Sequence, residues 1–147
     1  MEKNLKLAIP ILAVVMLTAT GVAMQQADAY KRTVLVHITA GEGEAHSATM
    51  GVEHALSTLN AGKTVVVLLD VDGAPIAAKN PPAGLKTANQ NLQTFLDSGG
   101  RVIACEHCIT MAGLKNADLL PGVEIDKHPQ MPKLQQVLDE AAVVLDY

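Results

Sequence analysis

Residues 64–69 read TVVVLL, an uninterrupted apolar stretch of strand length. Three adjacent valines favour extended backbone, because branching at Cβ stiffens the side chain and suits a pleated surface. A strand with no polar positions in alternation must be covered on both faces, and that is the setting of a parallel sheet flanked by helices. Residues 33–39, TVLVHIT, are likewise short and rich in branched side chains, so they read as a preceding strand. Between the two, residues 44–60 carry Ala45, Ala48, Val52, Ala55, Leu56 and Leu59 at helical spacing, and Ala61-Gly62 can end that helix.

The alternation continues down the chain. Residues 70–84, with three prolines and two glycines, are expected to be loop or broken turn. Helical periodicity resumes over 87–97 through Leu92, Phe95 and Leu96 and stops at Ser98-Gly99-Gly100. Residues 101–104 form a short strand running into Cys105. A short helix is expected within 109–115, a small strand at 123–125 after Pro121-Gly122, a helix over 132–141 and a last strand at 142–145. Repeated strand-helix units of this kind predict an α/β fold: a three-layer α/β/α arrangement around an open, mostly parallel sheet of about five strands.

The first residues read differently. Lys3 and Lys6 precede an apolar run over 7–17, and Ala27-Asp28-Ala29 offers small residues at alternate positions. That pattern predicts a signal peptide over 1–29, a single domain over 30–147, and an exported protein, periplasmic or extracellular. The alternative is an uncleaved N-terminus that anchors the chain in a membrane; after cleavage no stable span is expected. A net charge of −4, with scattered Lys and Arg, argues against a nucleic-acid partner. One Phe, two Tyr and no Trp leave little for stacking on bases.

Ligands of open parallel sheets gather at the carboxyl ends of the strands. Three segments fall there: 40–44, 70–84 and 105–108. In the first, Gly41-Glu42-Gly43 precedes a helix as a dinucleotide loop does, but His46 stands where a third glycine is needed and Glu42 and Glu44 oppose a pyrophosphate. In the third, Cys105-Glu106-His107-Cys108 holds the only two cysteines of the chain. Thiols at a strand end opening a helix lie near backbone N–H groups and the positive end of the helix dipole, which favours thiolate. His107 is expected to assist by hydrogen bond or charge, so Cys105, Cys108 and His107 are the candidate catalytic residues. A permanent disulfide across so small a loop would constrain the unfolded chain little.

The order of these elements, with Asp72-Gly73 after the second strand, Cys105-Glu106-His107-Cys108 after the third, and the segment ADLLPGVE at 117–124, resembles the DsrE/DsrF-like family of small sulfur-relay proteins. The resemblance runs over about residues 32–146. It implies an α/β/α fold, trimers or hexamers, and a persulfide carried on Cys105 or Cys108, with Cys105 preferred for its place at the strand end. The partners it implies are sulfur donors and acceptor thiols or proteins. No cofactor is implied.

Other readings of the same residues lead elsewhere. Cys105, Cys108, His107 and Met111 offer soft ligands for copper or zinc. His46, Met50 and His54 share one side of the first helix but avoid its apolar face, so they read as solvated surface. His37, inside the first strand, reads as a hydrogen-bonded histidine near the core, and His128, before Pro129, as exposed. A thioredoxin-like oxidoreductase shares the C-x-x-C spacing, yet two strand-helix units precede the pair here. A non-catalytic interaction module of the same fold is the remaining alternative.

Overall fold

The computed structural model describes residues 33–147; the predicted signal peptide lies outside the described residues. Five strands form one sheet: β1 (Thr33–Ile38), β2 (Val65–Leu69), β3 (Arg101–Cys105), β4 (Val123–Asp126) and β5 (Ala141–Asp146). Their order is β4-β3-β2-β1-β5, and every neighbouring pair is parallel. The sheet expected to be mostly parallel is therefore wholly so. All five residues of β2 are buried, as the TVVVLL run requires.

The helices divide unequally between the two faces. α1 (Ala45–Asn60), α2 (Lys86–Asp97) and the short α3 (Glu106–Met111) cover one face. There Ala48, Val52 and Ala55 of α1, together with Ala88, Leu92 and Phe95 of α2, pack on Val36, Val67, Val102 and Ala104 of the strands. α4 (Pro132–Glu140) covers the other face, where Val137 meets Leu35, Val66, Leu68 and Ile103. The order of strands explains the division. The chain steps outward from β1 to β4 with its helices on one face, then recrosses under α4 to set β5 beside β1, as right-handed connections require.

Two carboxylates fix that return. Asp126, fully buried at the end of β4, accepts hydrogen bonds from the backbone N–H groups of Lys133 (3.0 Å) and Leu134 (2.8 Å), capping α4 from outside its own turn. Glu124 accepts from Arg101 Nε at 2.7 Å and Nη2 at 3.2 Å and from Lys133 Nζ at 2.6 Å. Chiefly through Arg101, these partners hold its carboxyl down at about 2.

The proline-rich segment after β2 is more ordered than a loop. It forms 3-10 turns over Val71–Ala77 and Ala83–Leu85, with Gly73, Ala74, Ile76 and Ala77 buried. Asn89 of α2, itself buried, supplies the missing donors, giving its Nδ2 hydrogens to the carbonyls of Ile76 (2.6 Å) and Ala78 (2.9 Å). A buried irregular segment needs such a partner for its backbone carbonyls. α3 also starts earlier than expected, at Glu106, because Cys105 caps it through sulfur; it ends before Gly113, whose φ of +73° suits glycine.

Gly73 makes the segment's tightest approach to the sheet. A Cβ on Gly73 would stand 2.3 Å from the carbonyl oxygen of Ile38, a distance real Cβ atoms do not reach. Gly73→Ala is therefore expected to push the segment off β1 and to cost about 1–3 kcal/mol, read as a lower urea midpoint at unchanged slope.

Candidate functional site

Parallel pairing puts the ends of β1, β2, β3 and β5 on one edge, and each delivers a polar side chain there. β3 ends in Cys105 and β2 is followed by Asp70, while His37 and Asp146 are register partners on β1 and β5. Asp70 and the two cysteines have ligating atoms that all lie within 4.8 Å of one another. Cys105 is 2% exposed, whereas Cys108 is half-buried and lines a cleft of about 560 Å³. Both cysteines are free. Their sulfurs stand 2.8 Å apart.

Helical spacing explains that contact. Cys105 is the residue before the first turn of α3, and its Sγ accepts the backbone N–H of Cys108 at 3.4 Å. A residue three positions further on returns to the same side of the helix, so the cap and Cys108 meet. His107, two positions on, does not. It is exposed, with its ring 5.0 Å from that of His128. Met111 is 74% exposed at the rim of the cleft. Adjacency in sequence thus overstated both residues as partners of the sulfurs.

The partner of the cysteines is Asp70. Cys108 Sγ donates its hydrogen to Asp70 Oδ1 at 2.8 Å. The backbone N–H of Val71 is shared between Asp70 Oδ1 (2.9 Å) and Cys108 Sγ (3.3 Å). Val71 itself stands at a φ of +46°, a left-handed conformation that a β-branched residue strongly disfavours. Behind Asp70, His37 Nδ1 donates to Asp146 Oδ1 at 2.8 Å. The other ring nitrogen, Nε2, is buried without a hydrogen-bond partner, 3.7 Å from Asp70 Oδ2.

This environment reverses the expected ionisation of Cys108. Burial, and then the hydrogen bonds to the Asp70 carboxylate and to Cys105, push its thiol up to about 12; the Val71 N–H opposes them only in part. Asp70 moves the other way. Burial raises it, but hydrogen bonds from Cys108, Val71 and Cys105 outweigh burial and keep its carboxyl below its ordinary value. The helix-end location that favours thiolate in an exposed cysteine is overridden here first by burial and then by the hydrogen bond to the Asp70 carboxylate.

The cleft itself is walled by 41–44, by Val71, Asp72 and Pro75, and by Met111 and Ala112. Its glycine-rich wall has a steric purpose. A Cβ on Gly41 would lie 2.6 Å from both the carbonyl oxygen and Cβ of Asp72, and Glu42 Oε1 accepts the backbone N–H of Gly84 at 3.0 Å. The 41–44 loop is thus packed against the segment after β2, with its acidic side chains at the cleft. His46 and His54 of α1 are exposed, as their spacing suggested, and His54 Nδ1 meets the Tyr147 hydroxyl.

A parallel α/β sheet with two thiols at the end of its third strand defines a class of small thiol-bearing proteins. The chain belongs to the DsrE/DsrF-like family, whose model matches residues 32–145. Among solved structures it is similar to the ychN protein from E. coli, with a TM-score of 0.66 at 21% identity, covering 80% of this chain and 99% of that one. It is also similar to MTH1491 from Methanobacterium thermoautotrophicum, titled a protein of unknown function, with a TM-score of 0.58 at 15% identity and coverage of 80% and 99%. At these identities the likeness is one of fold. Comparison with curated proteins gave no match.

The reversal at Cys108 is open to measurement. Asp70→Asn removes the carboxylate that retains the thiol proton, so alkylation of Cys108 by iodoacetamide at neutral pH is expected to quicken by about tenfold, the gain in thiolate being partly offset by its lower nucleophilicity. The pH profile of the reaction, followed by peptide mass, should shift from near 12 toward the ordinary thiol range. An unchanged profile in the variant would remove Asp70 from this role.

Proposed function

We propose that the protein carries sulfane sulfur as a persulfide on Cys108, with Cys105 as the resolving thiol. The observation that carries this reading is the pair of free sulfurs 2.8 Å apart, one facing a cleft and the other buried beneath it. Cys108 is the sulfur a donor can reach. This assignment replaces the preference for Cys105, whose 2% exposure bars direct attack from solvent. Membership of a family with sulfur-relay members supports the substrate class.

The chemistry follows from the contacts. A donor persulfide, R–S–SH, enters the cleft and meets Cys108. The Cys108 sulfur attacks the outer sulfur of the donor while its proton passes to Asp70, which accepts it at 2.8 Å. Because the resting carboxylate is a weak base, the proton moves as the new S–S bond forms rather than before. The departing R–S⁻ takes up that proton, leaving Cys108–S–SH and R–SH. In the second step an acceptor thiol takes the outer sulfur, or Cys105 attacks the inner one. The latter forms the Cys105–Cys108 disulfide and expels hydrogen sulfide, and an external dithiol restores the pair. Export by the leader over 1–29 would restrict the donors and acceptors to those outside the cytoplasm.

Intact mass spectrometry separates the two roles. Reduced protein given a sulfane donor is expected to gain the mass of one sulfur atom, and Cys108→Ser to gain none. Cys105→Ser should gain the sulfur and keep it longer than the parent, because the resolving step is gone. Absence of the gain with inorganic polysulfide and with glutathione persulfide alike would overturn the proposal.

A further inference from the structure

We propose that Asp70, Cys105 and Cys108 also form a zinc site, with three protein ligands and a fourth position open to the cleft. The donor atoms of these residues lie within 4.8 Å of one another, already gathered on one side of the first turn of α3. In the metal-free protein, a proton holds the cluster together: Cys108 Sγ gives its hydrogen to Asp70 at 2.8 Å, with Cys105 Sγ 2.8 Å from the same sulfur. A divalent cation takes the place of such protons when thiols become ligands.

Two features beyond the cluster point to a cation. Each sulfur already accepts a backbone N–H, from Val71 at 3.3 Å and from Cys108 at 3.4 Å, as outer-shell donors do for metal-bound thiolates. One of those donors is the strained Val71. His37, whose Nδ1 hydrogen goes to Asp146, holds Nε2 buried and without a hydrogen-bond partner 3.7 Å from Asp70 Oδ2. A buried polar atom without a partner therefore stands directly behind the carboxylate of the cluster.

The donor set selects the metal. Two thiolates disfavour calcium and magnesium, which take oxygen, and a carboxylate disfavours copper(I), which takes soft ligands alone; zinc accepts both. Three protein ligands with one open position is the format of reactive rather than structural zinc sites. Zinc–sulfur bonds of about 2.3 Å require the two sulfurs to part by on the order of 1 Å. Cys108 has that freedom at the cleft. His107 and Met111 are not ligands in this set, and Asp70 stands in their place. Occupancy by zinc and by sulfane sulfur exclude one another, since both use the Cys108 thiolate.

The test uses the reduced full-length domain and zinc alone, measured by competition with a chromophoric chelator and by proton release into weak buffer. One zinc per chain and release of two protons are expected. Cobalt(II) at the same site should show an intense thiolate charge-transfer band. Asp70→Asn should weaken binding by on the order of tenfold to a hundredfold and Cys108→Ser by more, while His107→Ala and Met111→Leu leave it unchanged. Circular dichroism of each variant separates loss of a ligand from loss of fold. Failure to bind zinc stoichiometrically, binding that survives Cys108→Ser in a folded protein, or binding lost in His107→Ala or Met111→Leu would each overturn the site. None of these readouts involves sulfur transfer, so the zinc site and the persulfide stand or fall separately.

Discussion

Parallel alignment of β1, β2 and β3 is the constraint on which everything at the site rests. Parallel neighbours end on the same side of a sheet, so residues far apart in sequence are delivered side by side. Asp70 reaches Cys108 across 38 residues of separation and Asp146 reaches His37 across 109, each at 2.8 Å. Neither contact needs a long side chain or an unusual loop. The register of the strands does the placing, and the buried valines and leucines of β2 fix the register.

Electrostatics then decides what the placed groups can do. An isolated cysteine at the start of a helix has reason to lose its proton, since backbone dipoles point at it. Burial of the thiol, followed by its hydrogen bond to a carboxylate, outweighs the partial charges at the helix end. The result is a thiol held in reserve, lining the cleft and keeping its proton against Asp70. Such a thiol is slow to oxidise, because the thiolate is the reactive form.

Much of the frame was legible in the residues alone. Branched and apolar runs gave the strands, the spacing of Ala48, Val52 and Ala55 gave α1, and the C-x-x-C pair marked the right end of the right strand. What escaped were features that exist only in three dimensions. Asp70 looked like the first residue of a loop, because nothing in its neighbours states that β2 lies beside β3. The segment 70–84 read as loop or broken turn because its stabilising partner, Asn89, sits in the next helix. His107 read as an assisting residue because it lies between the cysteines, yet an intervening helical residue faces away from the pair that brackets it. The only available signal for Asp70 was an acidic residue directly after a fully apolar strand, at the edge where chemistry collects.

The cap of α3 carries a last implication. Most helices begin on an oxygen, whose ability to accept an N–H does not change over the life of the protein. This one begins on a sulfur, Cys105 Sγ, whose lone pairs are the same electrons that a bond to sulfur or metal would use. Covalent or coordinate change at the buried cysteine is therefore transmitted to the Cys108 amide and to the first turn above it. The start of the short helix is thus tied to the same electrons that the chemistry of the buried sulfur would use.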